Sequence, residues 1–499
     1  MSDASSIARP SRFDPRWLPL AVTTVGSFMS ILDSTIVNIA LPSILKDFDA
    51  GLGSGQLVIT SYLMALAVVI PATGFLAERI GMKRLYITTV ICFTAGSLLS
   101  GLAWNLPSLI VFRVLQGLGG GMIQPLGMAI VFTMLKPLER PYFMGLLGIP
   151  VLLGPLLGPS VGGYLVEYVH WRAVFLINLP VGVIDVVLAY ILLKETPIRT
   201  DAKLDGRGFL LAATAFPCLV LGLSLGSEHG WTSAAPLALL TTGAIALAGF
   251  IRVELRHHDP MLQLRLFGDR MFRLATVTQW VGFFSLFGLN FLLPLYLQTA
   301  LGFGAAKTGL VLLPMGAVAF VTMNIAGRSY NRLGPKPLAI SGLAVLALTT
   351  LLWSRVTPST GVLPIALLAG GRGLALGLFA QTVQMVAYNT VPEGQMSRAT
   401  ALMNVGQRIN GALSAAILTT VLAISLSLHG APAGSSVTDG SAPVRFVESA
   451  FHEAFLVMTA IAAVGALLAW FLHDRALLEW RAATPEPAAS ARAGPSGRG

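Results

Sequence analysis

Charged side chains are scarce in this sequence. They make up 11% of its 499 residues, whereas 55% are hydrophobic and the mean hydropathy is +0.75. A soluble domain has about 25% charged residues, so this shortage excludes a water-soluble protein and predicts an all-α polytopic membrane protein. The first apolar run continues beyond the length of a signal peptide, which predicts a first membrane helix and not a cleaved leader.

Residues that build metal, redox or catalytic sites are also few. The two cysteines, Cys92 and Cys218, lie in apolar runs, where cysteine acts as a small packing residue. The seven histidines are scattered, mostly in loops, and the chain has no Gly-x-x-x-x-Gly-Lys-Ser/Thr phosphate loop. We therefore expect no metal site, no catalytic residue, no cofactor and no ATP-driven pump. The sequence predicts that the protein is not an enzyme.

Long apolar runs are abundant instead. Windows of about 20 apolar residues predict fourteen membrane spans, at residues 17–42, 55–77, 85–104, 106–135, 141–166, 172–193, 207–226, 235–252, 273–299, 308–330, 337–354, 362–388, 399–428 and 450–472. With the N-terminus in the cytoplasm, 25 of the 33 lysines and arginines fall in inside segments and five in outside segments, while Arg113, Arg372 and Arg408 lie within spans. This bias follows the positive-inside rule. It predicts an inner-membrane protein with both termini in the cytoplasm, and it assigns the net charge of +10 to the membrane surface and not to nucleic acid.

Two stretches of the sequence are echoed later in the chain. GFLAERIGMKR (74–84) resembles GRSYNRLGPKP (327–337), and FRVLQGLGGG (112–121) resembles GRGLALGLF (371–379). Repeated halves with a site between them are typical of secondary transporters. The echoes predict five parts: a cytoplasmic N-terminus (1–16), a six-helix half (17–193), a linker with two extra helices (194–272), a second six-helix half (273–472) and a disordered tail (473–499).

An aspartate lies inside the first predicted span, in the stretch GSFMSILDSTIVNIALP (26–42). A carboxylate at membrane depth costs several kcal/mol and usually marks a proton or substrate pathway, so Asp33 is predicted to carry a proton. The alternative is a structural acid that faces a water-filled cavity or pairs with a cation. Arg113 in the fourth span is the best placed partner, and protonation of Asp33 would weaken that pair; anchoring of Arg113 to backbone carbonyls is the other interpretation.

Five motifs follow one another in the N-terminal part. They are LDSTIVNIALP (32–42), GFLAERIGMKR (74–84), RVLQGLGGG (113–121), GIPVLLGPLLGPSVGG (148–163) and WRAVFLINLPVG (171–182). With these motifs the chain resembles the major facilitator superfamily, and within it the fourteen-helix drug:proton antiporters of the EmrB/QacA type. Glu78 stands where that superfamily usually has aspartate, and Met82 where a basic residue is common.

The second motif brings both signs of charge to the predicted cytoplasmic mouth. Its glycines, Gly74 and Gly81, allow close helix approach and a tight turn. A charge network there can hold an inner gate shut in one state and break in the other. The alternative is that the basic residues only set the topology. The charged residues of this motif are Glu78, Arg79, Lys83 and Arg84.

The fourth of these motifs resembles the antiporter motif of the fifth helix. Gly154, Gly158 and Gly162 recur every four residues, the pattern that lets membrane helices touch. Pro155 and Pro159 bend the helix and free backbone carbonyls. A bent, tightly packed helix is predicted to act as a hinge and as a seal against proton leak, with Gly163 in the same set; plain packing is the alternative.

Candidate substrate contacts come from several spans. An aromatic face suited to bulky apolar or cationic ligands, or equally to lipid, is formed by Trp280, Phe284, Phe287 and Phe291 with Asn290 beside it. Polar residues expected to face the bundle interior are Asn38, Gln116, Gln124, Gln381 and Gln384. The roles of two intramembrane charges are left open: Asp185 is a weaker candidate for a proton site, and Arg408 either binds an anion or pairs with an acid.

Together these observations predict a proton-driven exporter of amphipathic or cationic drugs or toxic compounds, working by alternating access. Its expected partners are membrane lipids, drug-like small molecules and protons, and a periplasmic adaptor is left open. The alternatives are a dedicated exporter of one metabolite, lipid or self-made antibiotic, and a membrane receptor or scaffold that transports nothing.

Overall fold

In a computed structural model of the chain, the structure describes residues 17–50, 52–135, 139–140, 143, 154, 157–158, 161–198, 205–229, 231, 233–257, 260–392, 394–430, 444–474 and 477. All regular structure in these ranges is helical, without a strand. Twelve of the described helices are long and apolar enough to cross a membrane. The predicted all-α polytopic membrane fold is therefore confirmed.

The helices follow the predicted spans closely. In chain order they are α1 (Trp17–Asp47), α2 (Leu52–Val69), α3 (Thr73–Ile80), α4 (Met82–Gly101), α5 (Leu106–Met134), α6 (161–168), α7 (Ala173–Leu176), α8 (Asn178–Leu192), α9 (Gly206–His229), α10 (Ala234–Arg256), α11 (Arg270–Thr299), α12 (Ala305–Leu333), α13 (Pro335–Trp353), α14 (Val362–Asn389), α15 (Met396–Leu428) and α16 (Val444–Ala469). A 3-10 turn at Ile70–Ala72 separates α2 from α3 and contains Pro71, whose missing N–H interrupts the helical ladder.

Two predicted spans stand apart from those twelve. The third span forms α4, a helix of 20 residues that has the charged Lys83 and Arg84 in its first turn. The fifth span lies mostly outside the described residues, apart from 143, 154, 157–158 and 161–168. The predicted cytoplasmic N-terminus (1–16), the connection 431–443 and nearly all of the predicted tail (473–499) also lie outside them.

The helices pack as two groups with a pair between them. In the N-terminal half (α1–α8), α5 packs against α1, α2 and α4, and α8 packs against α1 and α4. In the C-terminal half (α11–α16), α14 packs against α11, α12 and α13. The pair α9 and α10 pack on each other, and α9 also contacts α2 and α15. The extra pair therefore lies along the seam between the halves.

The similarity between the two halves is also visible in the backbone. Gly81 links α3 to α4 with φ 94°, and Gly334 links α12 to α13 with φ 87°. A residue with a side chain rarely adopts this conformation, so glycine is required at both turns. The end of the bundle that carries Gly81, Gly334 and most of the basic residues is called the basic end below.

Candidate functional site

Asp33 lies in α1 at the centre of a buried hydrogen-bond cluster, with no part of it exposed. Its Oδ2 accepts a hydrogen bond from Arg113 Nη1 at 2.7 Å. Its Oδ1 accepts one from Gln116 Nε2 and one from Asn178 Nδ2, each at 2.9 Å. The structure thus brings together Asp33 and Arg113, the two residues singled out in the sequence, and adds two amides. We call Asp33, Arg113, Gln116 and Asn178 the Asp33 cluster.

The cluster contains only donors facing the carboxyl group. Three N–H groups donate to the two oxygens of Asp33, two of them to Oδ1 and one to Oδ2. A carboxylate has about four lone-pair sites, so the free site is on Oδ2, the oxygen that accepts from Arg113. A proton that binds there removes the charge that Arg113 faces and weakens this ion pair.

Arg113 is held on several sides. Besides Asp33, its Nη1 contacts Gln116 Oε1 at 2.8 Å and its Nε donates to the Val58 carbonyl at 3.2 Å. Its guanidinium carbon lies 4.0 Å from the centre of the Tyr62 ring, a cation–π contact. Both interpretations of Arg113, the acid pair and the carbonyl anchor, are thus present at once. Arg113 keeps partners when Asp33 loses its charge.

The sequence analysis missed two residues of this site. Asn178 begins α8 and donates to Asp33 Oδ1 and to Ser97 Oγ, and Ser97 in α4 donates to the Phe175 carbonyl. Asn178 lies within the recognised motif WRAVFLINLPVG, which was the available signal. Its amide ties α1 to α8 and α4. A change at Asp33 is therefore transmitted to four helices: α1, α4, α5 and α8.

Three glycines of the fourth motif lie directly against the helix of Asp33. A methyl group added at Gly158 would overlap the Thr35 hydroxyl, and one at Gly154 would overlap the side chain of Ile31. At Gly162 it would lie 2.7 Å from Ile36 Cγ1, whereas nothing lies within 4 Å at Gly163. Gly154, Gly158 and Gly162 thus form a stripe against α1, and Gly163 points away. Pro155 and Pro159 lie outside the described residues.

Glu78 of the second motif reaches across to the other half. Its Oε1 and Oε2 each accept a hydrogen bond at 2.6 Å, from Nε and Nη2 of Arg398 at the start of α15. The Arg398 and Glu78 side chains are only 6% and 11% exposed. A methyl group at Gly74 would lie 2.7 Å from Arg398 Cγ and 2.9 Å from its Cα. The close approach expected at Gly74 is thus an approach between halves.

Two bases of this motif, Lys83 and Arg84, contact residues at the end of α8 and just after it. Lys83 donates to the Tyr190 carbonyl at 2.6 Å, at the end of α8. Arg84 pairs with Glu195 at 3.3 Å, and the Glu195 carboxylate also fills the space beside Gly81. Arg79 is exposed. The motif therefore divides: its acid links the halves, while two of its bases hold the start of α4 to the end of α8.

More contacts join the halves at the basic end. Arg140 donates to Asn389 Oδ1 at 3.2 Å. Asn389 in turn donates to Asp474 at 2.8 Å. The rings of Phe132 and Tyr388 meet edge to face, with centres 4.7 Å apart. Together with the pair of Glu78 and Arg398, these contacts close the basic end of the seam.

The predicted aromatic face of α11 is packed within the protein. Gly406 of α15 lies against the Trp280 indole, Asn410 donates to the Trp280 carbonyl at 2.6 Å, and Gly411 lies against the Phe287 ring. The half-buried Phe284 packs on the hydrophobic core, and nothing is described of the Phe291 side chain. This face therefore contacts α15, which neither the ligand nor the lipid interpretation had foreseen. Any substrate role for it stays a prediction.

The polar candidates separate into different surroundings. The Gln116 amide is buried and bonded to Asp33 and Arg113, so this residue belongs to the Asp33 cluster, and its role as a substrate contact stays a prediction. Asn38 is exposed and bonds only within its helix. Gln384 is buried and donates to the Tyr388 hydroxyl, while Oε1 of Gln381 is buried without a hydrogen-bond partner among the described residues.

Asp185 and Arg408, whose roles the sequence left undecided, lie in different surroundings. Asp185 in α8 is fully buried, and its Oδ2 accepts from the Tyr86 hydroxyl at 3.1 Å. Arg408 in α15 is exposed and donates to Gln124 Oε1 of α5 at 3.3 Å. Asp185 therefore belongs to the interior of one half, and Arg408 to the seam between the halves.

A match to the family model described as Major Facilitator Superfamily covers residues 23–415. The chain belongs to the Major Facilitator Superfamily. The Asp33 cluster, the glycine stripe and the pair of Glu78 and Arg398 all lie in that range. This superfamily consists of membrane transporters, so the chain is a multi-pass membrane protein with a transporter fold.

Similar proteins match most of the chain. The chain is 33% identical over 410 residues to the uncharacterized MFS-type transporter YhcA of Bacillus subtilis, covering 82% of this chain and 77% of the relative. It is 35% identical over 425 residues to the multidrug resistance protein B homolog of Mycobacterium tuberculosis, covering 83% and 77%. The crystal structure of the human organic anion transporter MFSD10 (TETRAN) superposes with a TM-score of 0.65 at 15% identity, covering 91% of this chain and 99% of that one. This last likeness shows the fold alone.

Proposed function

We propose that this protein is a proton-coupled exporter of amphipathic drugs or toxic compounds, a multidrug:proton antiporter of the fourteen-helix EmrB/QacA type. It works in the cytoplasmic membrane by alternating access, with both termini in the cytoplasm, and it catalyses no chemical reaction. The observation that carries the proposal is the fully buried carboxyl of Asp33 facing three donors, one of them an arginine.

The coupling step is the protonation of Asp33 from the outside. Hydrogen bonds to a neutral carboxyl are weaker than those to a carboxylate, so the proton loosens Asp33 from Arg113 and from the two amides. A buried cation that loses its acid costs about 3–5 kcal/mol, which is enough to favour another packing of α1, α5 and α8. Arg113 then keeps Gln116, the Val58 carbonyl and the Tyr62 ring.

The rearrangement passes from Asp33 to the glycine stripe and to the basic end. Residues 31, 35 and 36 of α1 flank Asp33 and touch the stripe, so a movement of α1 moves the bent fifth helix with it. Helices α3 and α5 of the same half contact α15 at the basic end. In the state described here that end is closed, and opening it toward the cytoplasm breaks the pair of Glu78 and Arg398.

The drug substrate rests on the names of relatives. The Mycobacterium tuberculosis protein and the putative multidrug resistance protein MdtD of Pectobacterium carotovorum, 33% identical over 426 residues, are both named for multidrug resistance. The extra pair α9 and α10 supports the fourteen-helix type. A dedicated exporter of one compound would share this site, and a broad substrate panel separates the two.

The test is efflux from everted vesicles under an imposed pH gradient, with a panel of fluorescent amphiphiles that includes ethidium. We compare the wild type with Asp33→Asn, whose amide brings N–H groups toward the three donors, and with Asp33→Glu, which keeps the acid. The proposal is supported if gradient-dependent efflux is lost in Asp33→Asn and partly kept in Asp33→Glu. Efflux that persists in Asp33→Asn would move proton coupling away from Asp33, and a well-folded wild type that exports no probe would contradict drug export.

A further inference from the structure

In the C-terminal half, helices α11 to α15 carry arginines but almost no acid; the acids of its last membrane helix, α16, are Glu448 and Glu453 near its start. From Arg270 to Thr438 the sequence contains one acidic residue, Glu393, which lies in the short connection between α14 and α15. Two arginines of this stretch, Arg372 and Arg408, lie well inside spans. The N-terminal half, in contrast, places Asp33 against Arg113.

The structure places a neutral residue where the repeat has an acid in the first half. Helices α11 and α14 pack as α1 and α5 do, and Asn290 of α11 accepts a hydrogen bond from Nη2 of Arg372 in α14. The Leu286 carbonyl accepts another at 2.7 Å, while Nε of Arg372 has no hydrogen-bond partner among the described residues. An amide satisfies a donor but does not neutralise a charge. Arg372, only 2% exposed, thus leaves a positive charge without a counter-ion in the described part of this half.

Arg408 adds a second positive charge, and this one is accessible. Its side chain is exposed, and the Gln124 amide oxygen that it contacts belongs to the other half. That contact is long for a hydrogen bond, at 3.3 Å, and a guanidinium has five N–H donors. Among the described residues no carboxylate pairs with Arg408. An arginine at membrane depth usually has such a partner.

We propose that Arg408 binds an acidic group of the transported compound: a carboxylate, a sulfonate or a phosphate ester. The inference rests on the proposed function, because it requires a compound that passes between the halves. The planar guanidinium matches two oxygens of such a group at once. The charge of Arg372 strengthens the attraction, because charges act over longer distances where water is excluded.

This assignment narrows the substrate class. The same two charges repel an organic cation that enters the seam near Arg408, and Asp33, the acid that could attract one, is already paired with Arg113. We therefore expect amphipathic compounds that carry an acidic group, whether anionic or zwitterionic. This proposal differs from the sequence-based expectation of amphipathic or cationic drugs, which stays a prediction.

The test compares two probes that share one fluorophore and differ in charge, dansylglycine (a carboxylate) and dansylcadaverine (an ammonium). Binding to the purified full-length protein in nanodiscs is measured for the wild type, Arg408→Gln and Arg408→Lys. We expect the wild type to prefer dansylglycine, and Arg408→Gln to weaken dansylglycine by about tenfold or more while leaving dansylcadaverine unchanged. Arg408→Lys keeps the positive charge but lacks the planar guanidinium, so its affinity for dansylglycine should lie between those of the wild type and Arg408→Gln. Asn290→Asp supplies Arg372 with an acid. It should weaken the binding of dansylglycine although Arg408 is unchanged.

Two results would overturn the site: equal binding of both probes by the wild type, or an equal loss of both in Arg408→Gln, which is what a structural role predicts. Transport of the same probes in everted vesicles separates this inference from the proposed function. Gradient-driven export without preference for the carboxylate would reject the site and keep the antiporter. Carboxylate-selective binding without gradient-driven export of any probe would reject the antiporter and keep the site.

Discussion

Glu78 and Arg398 form a two-pronged ion pair between helices from different halves of the molecule, with both N–O distances at 2.6 Å. Both side chains are almost buried, so water screens the pair weakly. In the superfamily motif that this chain resembles, aspartate is usual at the position of Glu78. Glutamate has one methylene more than aspartate, and its carboxylate meets the guanidinium with both oxygens while Gly74 lies against the Arg398 backbone.

Breaking this pair should open the basic end. Glu78→Gln leaves a nearly buried arginine without its acid, a change worth about 3–5 kcal/mol, and the state that separates the halves becomes more populated. Access is measured by maleimide labelling of Ser397→Cys, a buried position beside the pair, in everted vesicles and in a background lacking Cys92 and Cys218. We expect labelling to rise at least about tenfold.

The control for this experiment is Lys83→Gln, because Lys83 bonds to the Tyr190 carbonyl within its own half. Labelling should stay at the wild-type rate in that variant. The exchanged pair Glu78→Arg with Arg398→Glu should restore slow labelling. If Lys83→Gln opens the site as much as Glu78→Gln does, the motif acts through general charge and not as a latch between halves.

Asp33 and Asp185 are both buried acids, yet they should respond differently to the same change. Asp33 faces an arginine, whereas Asp185 has the Tyr86 hydroxyl as its partner and one oxygen without any in the described structure. A charge without a cation is costly at this depth, so Asp185 fits the neutral acid, which an asparagine imitates. We expect Asp185→Asn to unfold within about 2 °C of the wild type, and Asp33→Asn to unfold several degrees lower.

Thermal unfolding of the purified protein, followed by tryptophan fluorescence, measures this difference. Asp185→Leu is the matched control: it removes the side-chain acceptor of Tyr86, leaves that hydroxyl with the Val22 carbonyl at 3.2 Å, and should destabilise the protein. A loss of stability in Asp185→Asn as large as that in Asp33→Asn would show that Asp185 carries a charge and has a partner of its own.

The sequence alone predicted the helical membrane fold, and it singled out Asp33 and Arg113. It did so because a charge inside an apolar run is conspicuous and because local motifs carry recognisable spacing. The turn at Gly81 was also predictable, since a tight reversal between two helices requires the backbone freedom of glycine.

Contacts between distant helices were not predictable in this way. Asn178 is 145 residues from Asp33 along the chain, and no periodicity within either helix indicates that they meet. Arg398 lies 320 residues from Glu78, and in the sequence it counted only toward the orientation of the loops. The face formed by Trp280 and Phe287 had the right period, but only its packing on α15 shows what it touches.

The glycine stripe offers the sharpest local test of the coupling between helices. Gly158 lies against the hydroxyl of Thr35, the second residue after Asp33, whereas an added methyl group at Gly163 meets nothing within 4 Å. Gly158→Ala should therefore push the fifth helix away from α1 at a cost of about 1–3 kcal/mol, and should reduce gradient-driven export severalfold. Gly163→Ala makes the same chemical change on the same helix and should leave both stability and export unchanged. Export and proton leak are measured in the same vesicles. If the fifth helix also seals the protein against protons, its displacement should let protons cross without substrate. Equal behaviour of the two alanine variants would mean that contact with α1 is unimportant and that the glycines serve only the helix itself.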